Sequence, residues 1–360
     1  MKNHALKGLA IGDLFARVPI VQGGMGIGIS LSGLAAATAN AGGIGVIAAA
    51  GVGLFEPDGF TDFLGASIRG LRREIRRARE LSTGIIGVNI MVALRNFTDL
   101  VKTAVEEGVD IIFSGAGLPM NLPEFTRGTH TKAVPIVSSG RAAALIAKRW
   151  LDKYGVLPDA FVVEGPKAGG HLGYRAQDLA DPAFSLEKIV PEVVAAVKPF
   201  EEKAGHPIPV IAGGGIYTGG DIRQFLELGA SGVQMATRFV ATDECDASAA
   251  FKEAFVKAKE EDLAIITSPV GMPGRAIRNG FIKEVEAGKK QPFSCPYHCI
   301  VTCDYEKAPY CISLALINAQ KGRLEHGFAF AGANVGRVDH IVPVQTLVDE
   351  LVGEYEKSGD

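Results

Sequence analysis

The chain has few cysteines, no excess charge of either sign and no long apolar run, and each shortage removes a class of protein. Five cysteines in 360 residues do not staple a small secreted scaffold, so a reducing, cytoplasmic compartment is expected. A formal charge of −3, from 37 Lys+Arg against 40 Asp+Glu, gives no basic footprint for nucleic acid or an anionic membrane surface. No apolar stretch reaches the roughly 20 residues of a membrane span. The nearest approach, Leu34 to Leu54, is broken by Asn40, Gly42, Gly43, Gly45, Gly51 and Gly53. The first nine residues carry Lys2 and Lys7 and only a brief apolar stretch, so no export signal is expected. With 47% hydrophobic and 21% charged residues, the composition is that of a folded globular chain and excludes disorder.

Glycine, in contrast, is plentiful: 45 residues, above the usual share of roughly 7% and clustered in short loops. Between them runs a regular alternation. The short apolar runs Pro19–Val21, Ile44–Ala48, Ile85–Asn89, Ile111–Phe113, Val134–Val137, Ala160–Val163, Ile208–Ala212 and Gly232–Met235 read as eight strands. Helix-like segments separate most of them: Gly33–Asn40, Leu100–Glu107, Arg141–Tyr154, Leu186–Lys203 and Ile222–Leu228. Buried runs alternating with helices indicate a parallel sheet. Eight such units fit an α/β fold of the TIM (β/α)₈ barrel type, at about 250 residues. A doubly wound sheet competes, and glycines at nearly every strand's C-terminal end favour the barrel.

The arginine-rich stretch Arg69–Arg79 has Ile68, Leu71, Ile75 and Ala78 on one helical stripe. Its arginines, interleaved with Glu74 and Glu80, are therefore expected on the solvated face of an outer helix. After Phe239 the alternation stops. Asp246–Glu261, Ile312–Lys321 and Val342–Tyr355 read as helices, and Gly271–Arg278 is rich in glycine and proline. Residues 1–240 plus 327–360 are thus expected to form the barrel, and 241–326 an inserted, mostly helical subdomain on the substrate side.

Four segments carry chemistry. Val210–Ile216 ends a strand in Gly213, Gly214 and Gly215 and is followed by a helix opening at Asp221, and Gly232–Phe239 follows. Consecutive glycines expose N–H groups, the helix start adds its dipole, and barrels commonly bind phosphate after strands 7 and 8. Gln22-Gly23-Gly24-Met25-Gly26 lets a flat ring lie against backbone. Asn89 at a strand end can offer both a donor and an acceptor. Glu164–Gly173 places His171 beside Gly170 and Gly173, a position suited to a general base or to a donor to a developing anion. Each signal alone also has a plain reading as a turn.

The segments QGGMG (Gln22–Gly26), GVN (Gly87–Asn89), EGPKAGGHLG (Glu164–Gly173), AGGGI (Ala212–Ile216) and MATRF (Met235–Phe239), in this order, resemble the nitronate monooxygenase (2-nitropropane dioxygenase-like) family. That family takes in flavin-dependent enoyl-ACP reductases and NADH:quinone reductases. The resemblance extends through Thr267–Arg275 and the tail. It implies an FMN-binding TIM barrel with a helical substrate subdomain, acting on a small molecule (nitronate, enoyl thioester or quinone). Gly23, Gly24, Met25, Gly26, Asn89, Ser138 and Gly170 would contact the flavin, and His171 would handle substrate. Gly213, Gly214, Gly215, Ala236 and Thr237 would hold its phosphate. Ala236 departs from the family's usual glycine, which is harmless at negative φ and costly at positive φ.

The leading expectation is oxidation of alkyl nitronates with dioxygen. The alternative is NAD(P)H-dependent reduction of an enoyl or quinone substrate. Without a Gly-x-Gly-x-x-Gly fingerprint in a βαβ setting, NAD(P)H would bind transiently over the flavin. A flavin-free, IMP dehydrogenase-like barrel needs a nucleophilic cysteine before the phosphate loop, and the first cysteine is Cys245. A non-enzymatic nucleotide binder leaves His171 without a role. A homodimer is compatible with the sequence. Four cysteines, Cys295, Cys299, Cys303 and Cys311, fall within seventeen residues. A helix after Pro296 would put Cys299 and Cys303 on one face. Packed free thiols, a thiolate metal or iron–sulfur site and redox-active thiols all fit that spacing. The resemblance requires no metal, and none is assigned.

Overall fold

A computed structural model describes residues 6–290, 293–295 and 297–359. A hairpin of β1 (Leu9–Ile11) and β2 (Leu14–Ala16) precedes the first barrel strand, β3 (Ile20–Gln22). There follow β4 (Gly45–Ala48), β5 (Ile86–Met91), β6 (Ile111–Gly115), β7 (Lys132–Val137) and β8 (Phe161–Glu164). The short β9 (Gly170–His171) leaves the barrel before β10 (Val210–Gly213) and β11 (Gly232–Met235) complete it. The sheet order is β3-β11-β10-β8-β7-β6-β5-β4, all parallel. A parallel bridge between Val21 and Ile44 closes the ring. There Gln22 N donates to Ile44 O and Ile44 N to Ile20 O, each at 2.9 Å. Each of the eight runs read from the sequence forms a strand of this barrel.

The interior is packed rather than hollow. Val21, Ile44, Val46, Ile111, Phe113, Val134, Val162 and Ile211 fill it, and Leu9 and Ile11 of the hairpin join the same cluster. Phe113 needs Gly87 beside it, since a Cβ there would stand 2.7 Å from the ring. Outside, the helix Phe63–Leu81 buries Leu71, Ile75 and Ala78. Its arginines pair with acids of neighbouring segments: Arg69 with Asp58, Arg72 and Arg76 with Glu107, Arg79 with Asp110. Glu74 corrects the expectation of a fully solvated acid and base face. It is buried and accepts from Ser32 N and Ser32 Oγ at 3.1 and 2.6 Å.

Beyond β11 the chain forms the helices Ala249–Lys257, Gly280–Glu286 and Ile312–Gln320. Among them lie β12 (Leu263–Thr267) and β13 (Pro273–Ile277), an antiparallel hairpin that takes β9 as its third strand. Pro273 and Gly274 of this stretch therefore lie in a strand, and Gly271, at φ +84°, lies in the turn before it. The stretch 246–261 is helical only over Ala249–Lys257, where Ser248 caps it, and a 3₁₀ turn follows at Glu260–Asp262. The helix expected after Pro296 does not form: from Tyr297 to Tyr310 the described residues make turns and one bridge, Leu94 to Ile300. Pro296 itself lies outside the described residues. No described helix is long and apolar enough to cross a membrane.

The junction after β11 is tied to the first barrel helix, Ser32–Asn40, which has no side-chain cap of its own. The half-buried Asp246 carboxylate supplies one, accepting from Leu31, Gly33 and Leu34 N–H at 2.7, 3.1 and 3.1 Å. Asp246→Ala orphans three backbone donors, so a loss of about 1–3 kcal/mol is expected, read as a lowered urea midpoint. An unchanged midpoint would show that water replaces the carboxylate at no cost.

Candidate active site

The C-terminal ends of the barrel strands open onto one cavity of about 270 Å³. Its floor is Gly23, Gly24, Met25 and Gly26, directly after β3. Gly24 runs so close to β5 that a Cβ would stand 2.3 Å from the Asn89 Cβ, which keeps the floor flat. Asn89 borders the cavity, and its side-chain amide has no hydrogen-bond partner among the described residues. An uncommitted amide beside a flat backbone floor suits the polar edge of a planar ring.

At the other side the backbone turns sharply after β10. Gly214 and Gly215 have φ of +97° and +91°, the left-handed region where a side chain strains the backbone. The N–H groups of Gly214, Gly215 and Ile216, and those of Ala236 and Thr237 after β11, meet no acceptor among the described residues. Ala236 has φ −130°, so its methyl costs the backbone nothing. Asn334 Nδ2 donates to Gly215 O at 2.7 Å, and Gly332 N donates to Thr237 Oγ1 at 3.1 Å. Lys167, exposed and without an ion pair among the described residues, lays its carbons beside Gly215. Arg275 Nη1 pins this loop through Pro166 O and Ala168 O, at 2.6 and 2.8 Å. Free N–H groups converging beside a cation make an anion cradle.

His171 borders the same cavity. It is not a free loop residue: it belongs to β9, whose register sets His171 opposite Gly274 and Gly170 opposite Arg275. Gly170 takes φ +82° to make that turn. The imidazole Nε2 lies 2.7 Å from the buried Ser268 Oγ, and the ring meets Phe330 edge-on at 4.9 Å. Ser268 Oγ also accepts from Val270 N–H at 3.2 Å. Burial lowers the His171 pKa to about 4, so the imidazole is neutral at pH 7.

Glu164, the last residue of β8, borders the cavity as well, and desolvation raises its pKa to about 7. Ser138 stands after β7 but does not border the cavity; its hydroxyl donates to Gly173 O at 3.2 Å. Gly213 likewise lies within β10, where its O accepts from Gly165 N at 2.8 Å, and is not part of the wall. Sequence reading assigns no role to Asn334 or Phe330, nor to Ser268, although Ser268 lies in the Thr267–Arg275 segment of the resemblance. Each reaches the site from a segment remote in the chain. Glu164 did carry a local signal, as an acid at a strand's C-terminal end. Burial pushes the thiols of Cys299 and Cys303 up and that of Cys311 to about 11, so these three are not poised nucleophiles.

The profile of the nitronate monooxygenase family matches residues 10–354. The chain belongs to that family. A probable nitronate monooxygenase of Staphylococcus saprophyticus is 27% identical over 304 residues, covering 76% of this chain and 79% of the relative. A hydroxy-methyl-oxo-octahydroindene carboxyl-CoA dehydrogenase of Mycobacterium tuberculosis is 29% identical over 272 residues, 76% of this chain, which spans 66% of that relative. Among solved structures, FabK from Thermotoga maritima is 30% identical with TM-score 0.73, covering 96% of this chain and 94% of its own. Nitroalkane oxidase from Streptomyces ansochromogenes shares the fold at TM-score 0.73 and 24% identity, over 96% of this chain and 97% of its own.

Proposed function

We propose that the protein is an FMN-dependent oxidoreductase that oxidises alkyl nitronates with dioxygen. One observation carries the reading: five unengaged backbone N–H groups after β10 and β11 border the cavity that also holds His171 and the flat floor. They fit a flavin monophosphate, with Gly214, Gly215, Ala236 and Thr237 taking the phosphate and Lys167 balancing its charge. Gly23 to Gly26 would lie under the ring, and Asn89 would meet its polar edge. FMN, when bound, supplies the redox chemistry. The chain's own contribution is a neutral imidazole that accepts a proton from a nitro compound or donates a hydrogen bond to the nitronate oxygens. Ser268 holds its ring in place.

Glu164 makes the pH dependence specific. Its carboxyl is neutral below about pH 7 and ionised above, and an ionised carboxylate in the cavity repels an anionic substrate. Turnover of a nitronate is therefore expected to fall as pH rises through about 7, and Glu164→Gln is expected to flatten that limb. A wild-type profile flat from pH 6 to 8, or one unaltered by the substitution, would remove Glu164 from this role.

A second reading has its own support. The far wall is apolar, with Phe63, Met91, Leu94, Leu316 and Phe328, and suits the chain of an enoyl thioester reduced at NAD(P)H expense. Two assays separate the readings: anaerobic reduction of the flavin by NADH or NADPH, and aerobic turnover of propionate-3-nitronate or an alkyl nitronate. Nitronate turnover without pyridine nucleotide supports the first. Rapid NAD(P)H reduction with no nitronate turnover supports the second.

A further inference from the structure

The segment Phe328–Asn334 serves two sides of the cavity, which every one of its residues borders. Phe330 meets the His171 ring, whereas Gly332 and Asn334 reach the anion cradle. The segment is held from outside the barrel. Ile277 N donates to Ala329 O at 2.9 Å and Ala331 N to Arg275 O at 3.1 Å, which fixes it along β13. Ala333 N donates to Lys167 O at 3.0 Å, so the loop after β8 is tied to it as well.

Asn334 has a side chain that its own local structure does not use. It precedes the 3₁₀ turn Val335–Arg337 at the N-cap position, where an asparagine ordinarily accepts from backbone N–H groups of the turn. It makes no such cap. Its Nδ2 donates instead to Gly215 O at 2.7 Å, 119 positions away in the sequence. Gly215 is the second of two glycines with left-handed φ, +97° and +91°. Glycine adopts either sign of φ with little cost, so nothing at this residue itself holds the plane of the peptide that follows. That peptide, Gly215–Ile216, is trans, and in a trans peptide the C=O and the N–H point to opposite sides. With the carbonyl turned to Asn334, the Ile216 N–H points the other way, and it has no acceptor among the described residues. A plane turned over would offer an anion a carbonyl oxygen where it now finds a donor. The same segment treats Thr237 alike: Gly332 N donates to Thr237 Oγ1 at 3.1 Å, which leaves the hydroxyl hydrogen to be donated elsewhere.

We propose that Asn334 is a positioning residue for the anion cradle: its hydrogen bond to Gly215 O locks the Gly215–Ile216 peptide with the Ile216 N–H turned to the phosphate of the flavin. This role rests on the reading of the cavity as an FMN site and adds to it a side chain from beyond the last barrel strand. The effect is confined to the phosphate, since no hydrogen bond joins Asn334 to Gly23–Gly26 or to Asn89 among the described residues. Losing the bond therefore weakens a flavin that carries a phosphate and spares one that lacks it.

The test is titration of the flavin-free full chain with FMN and with riboflavin, followed by flavin fluorescence. Wild type is expected to bind FMN far more tightly than riboflavin. Asn334→Ala is expected to bind FMN about 10–100-fold more weakly, the worth of one hydrogen bond to a charged group. Its riboflavin affinity stays unchanged, which also shows that the chain is folded. Asn334→Asp is expected to lose more, because a carboxylate there repels both the Gly215 carbonyl and the phosphate. Equal losses for the two flavins would overturn the role, since a general loosening of the loop weakens both. So would an Asn334→Ala chain that binds FMN at wild-type strength. A wild-type chain that holds FMN no better than riboflavin, or holds neither, would overturn the FMN reading itself and this role with it.

Discussion

Gly214→Asp is expected to purify without flavin. Three effects act together at this position. The backbone has φ +97°, where any side chain is strained. A Cβ would stand 2.9 Å from Gly165 O and 3.1 Å from Ala168 N, both backbone atoms in the loop that Arg275 holds in place. The new carboxylate would also face the site of a phosphate dianion. Hydrogen bonds to charged groups are worth about 1.5–3 kcal/mol each, so losing two of them and adding repulsion weakens binding by at least about 10²–10⁴-fold. The measurement is flavin released per chain on denaturation, read by its visible absorbance. Gly214→Ala separates bulk from charge, since it carries the strain without the repulsion, and an intermediate flavin content is expected. A fully yellow Gly214→Asp protein would mean that the phosphate lies elsewhere.

The glycine half of this cradle, Gly214 and Gly215, has a local signal in the sequence. Consecutive glycines after an apolar run, then a helix start, occupy about ten residues. The eight strands were equally readable, since runs such as Ile111–Phe113 are buried on both faces of the sheet and leave no polar alternation to confuse them. What escaped the sequence depends on contacts between distant segments. The sheet that seats His171 is made of a two-residue strand and a hairpin about a hundred residues later. Gly170 and Pro273 look like breakers until they are paired. Glu74 pairs with the neighbouring Arg73 through one carboxylate oxygen, but its other oxygen accepts from Ser32, and only the packing of two helices reveals that contact. The cysteine loop has no periodicity to read, so a helix drawn from residue spacing there was not formed.

His171 shows how such a contact sets chemistry. Its lowered pKa, about 4, means that the folded protein favours the neutral ring. Below about pH 6.5 the unfolded chain binds a proton that the folded one refuses. The stability this group contributes is therefore present above about 6.5 and is lost as pH falls towards 4. Activity that needs a neutral imidazole should persist down to the same region, with an acid limb near pH 4 instead of near 6.5. His171→Ala is expected to retain its flavin, because none of the cradle contacts pass through the ring, and to lose about 10²–10⁴-fold in kcat/KM. Ser268→Ala frees Nε2 of its 2.7 Å partner without removing the base. It should lower kcat by less than His171→Ala does and move the acid limb. A His171→Ala enzyme with wild-type kcat/KM would reduce the residue to a strand-edge packing role against Phe330. A Ser268→Ala enzyme with an unchanged pH profile would show that the hydroxyl neither orients the ring nor sets its proton.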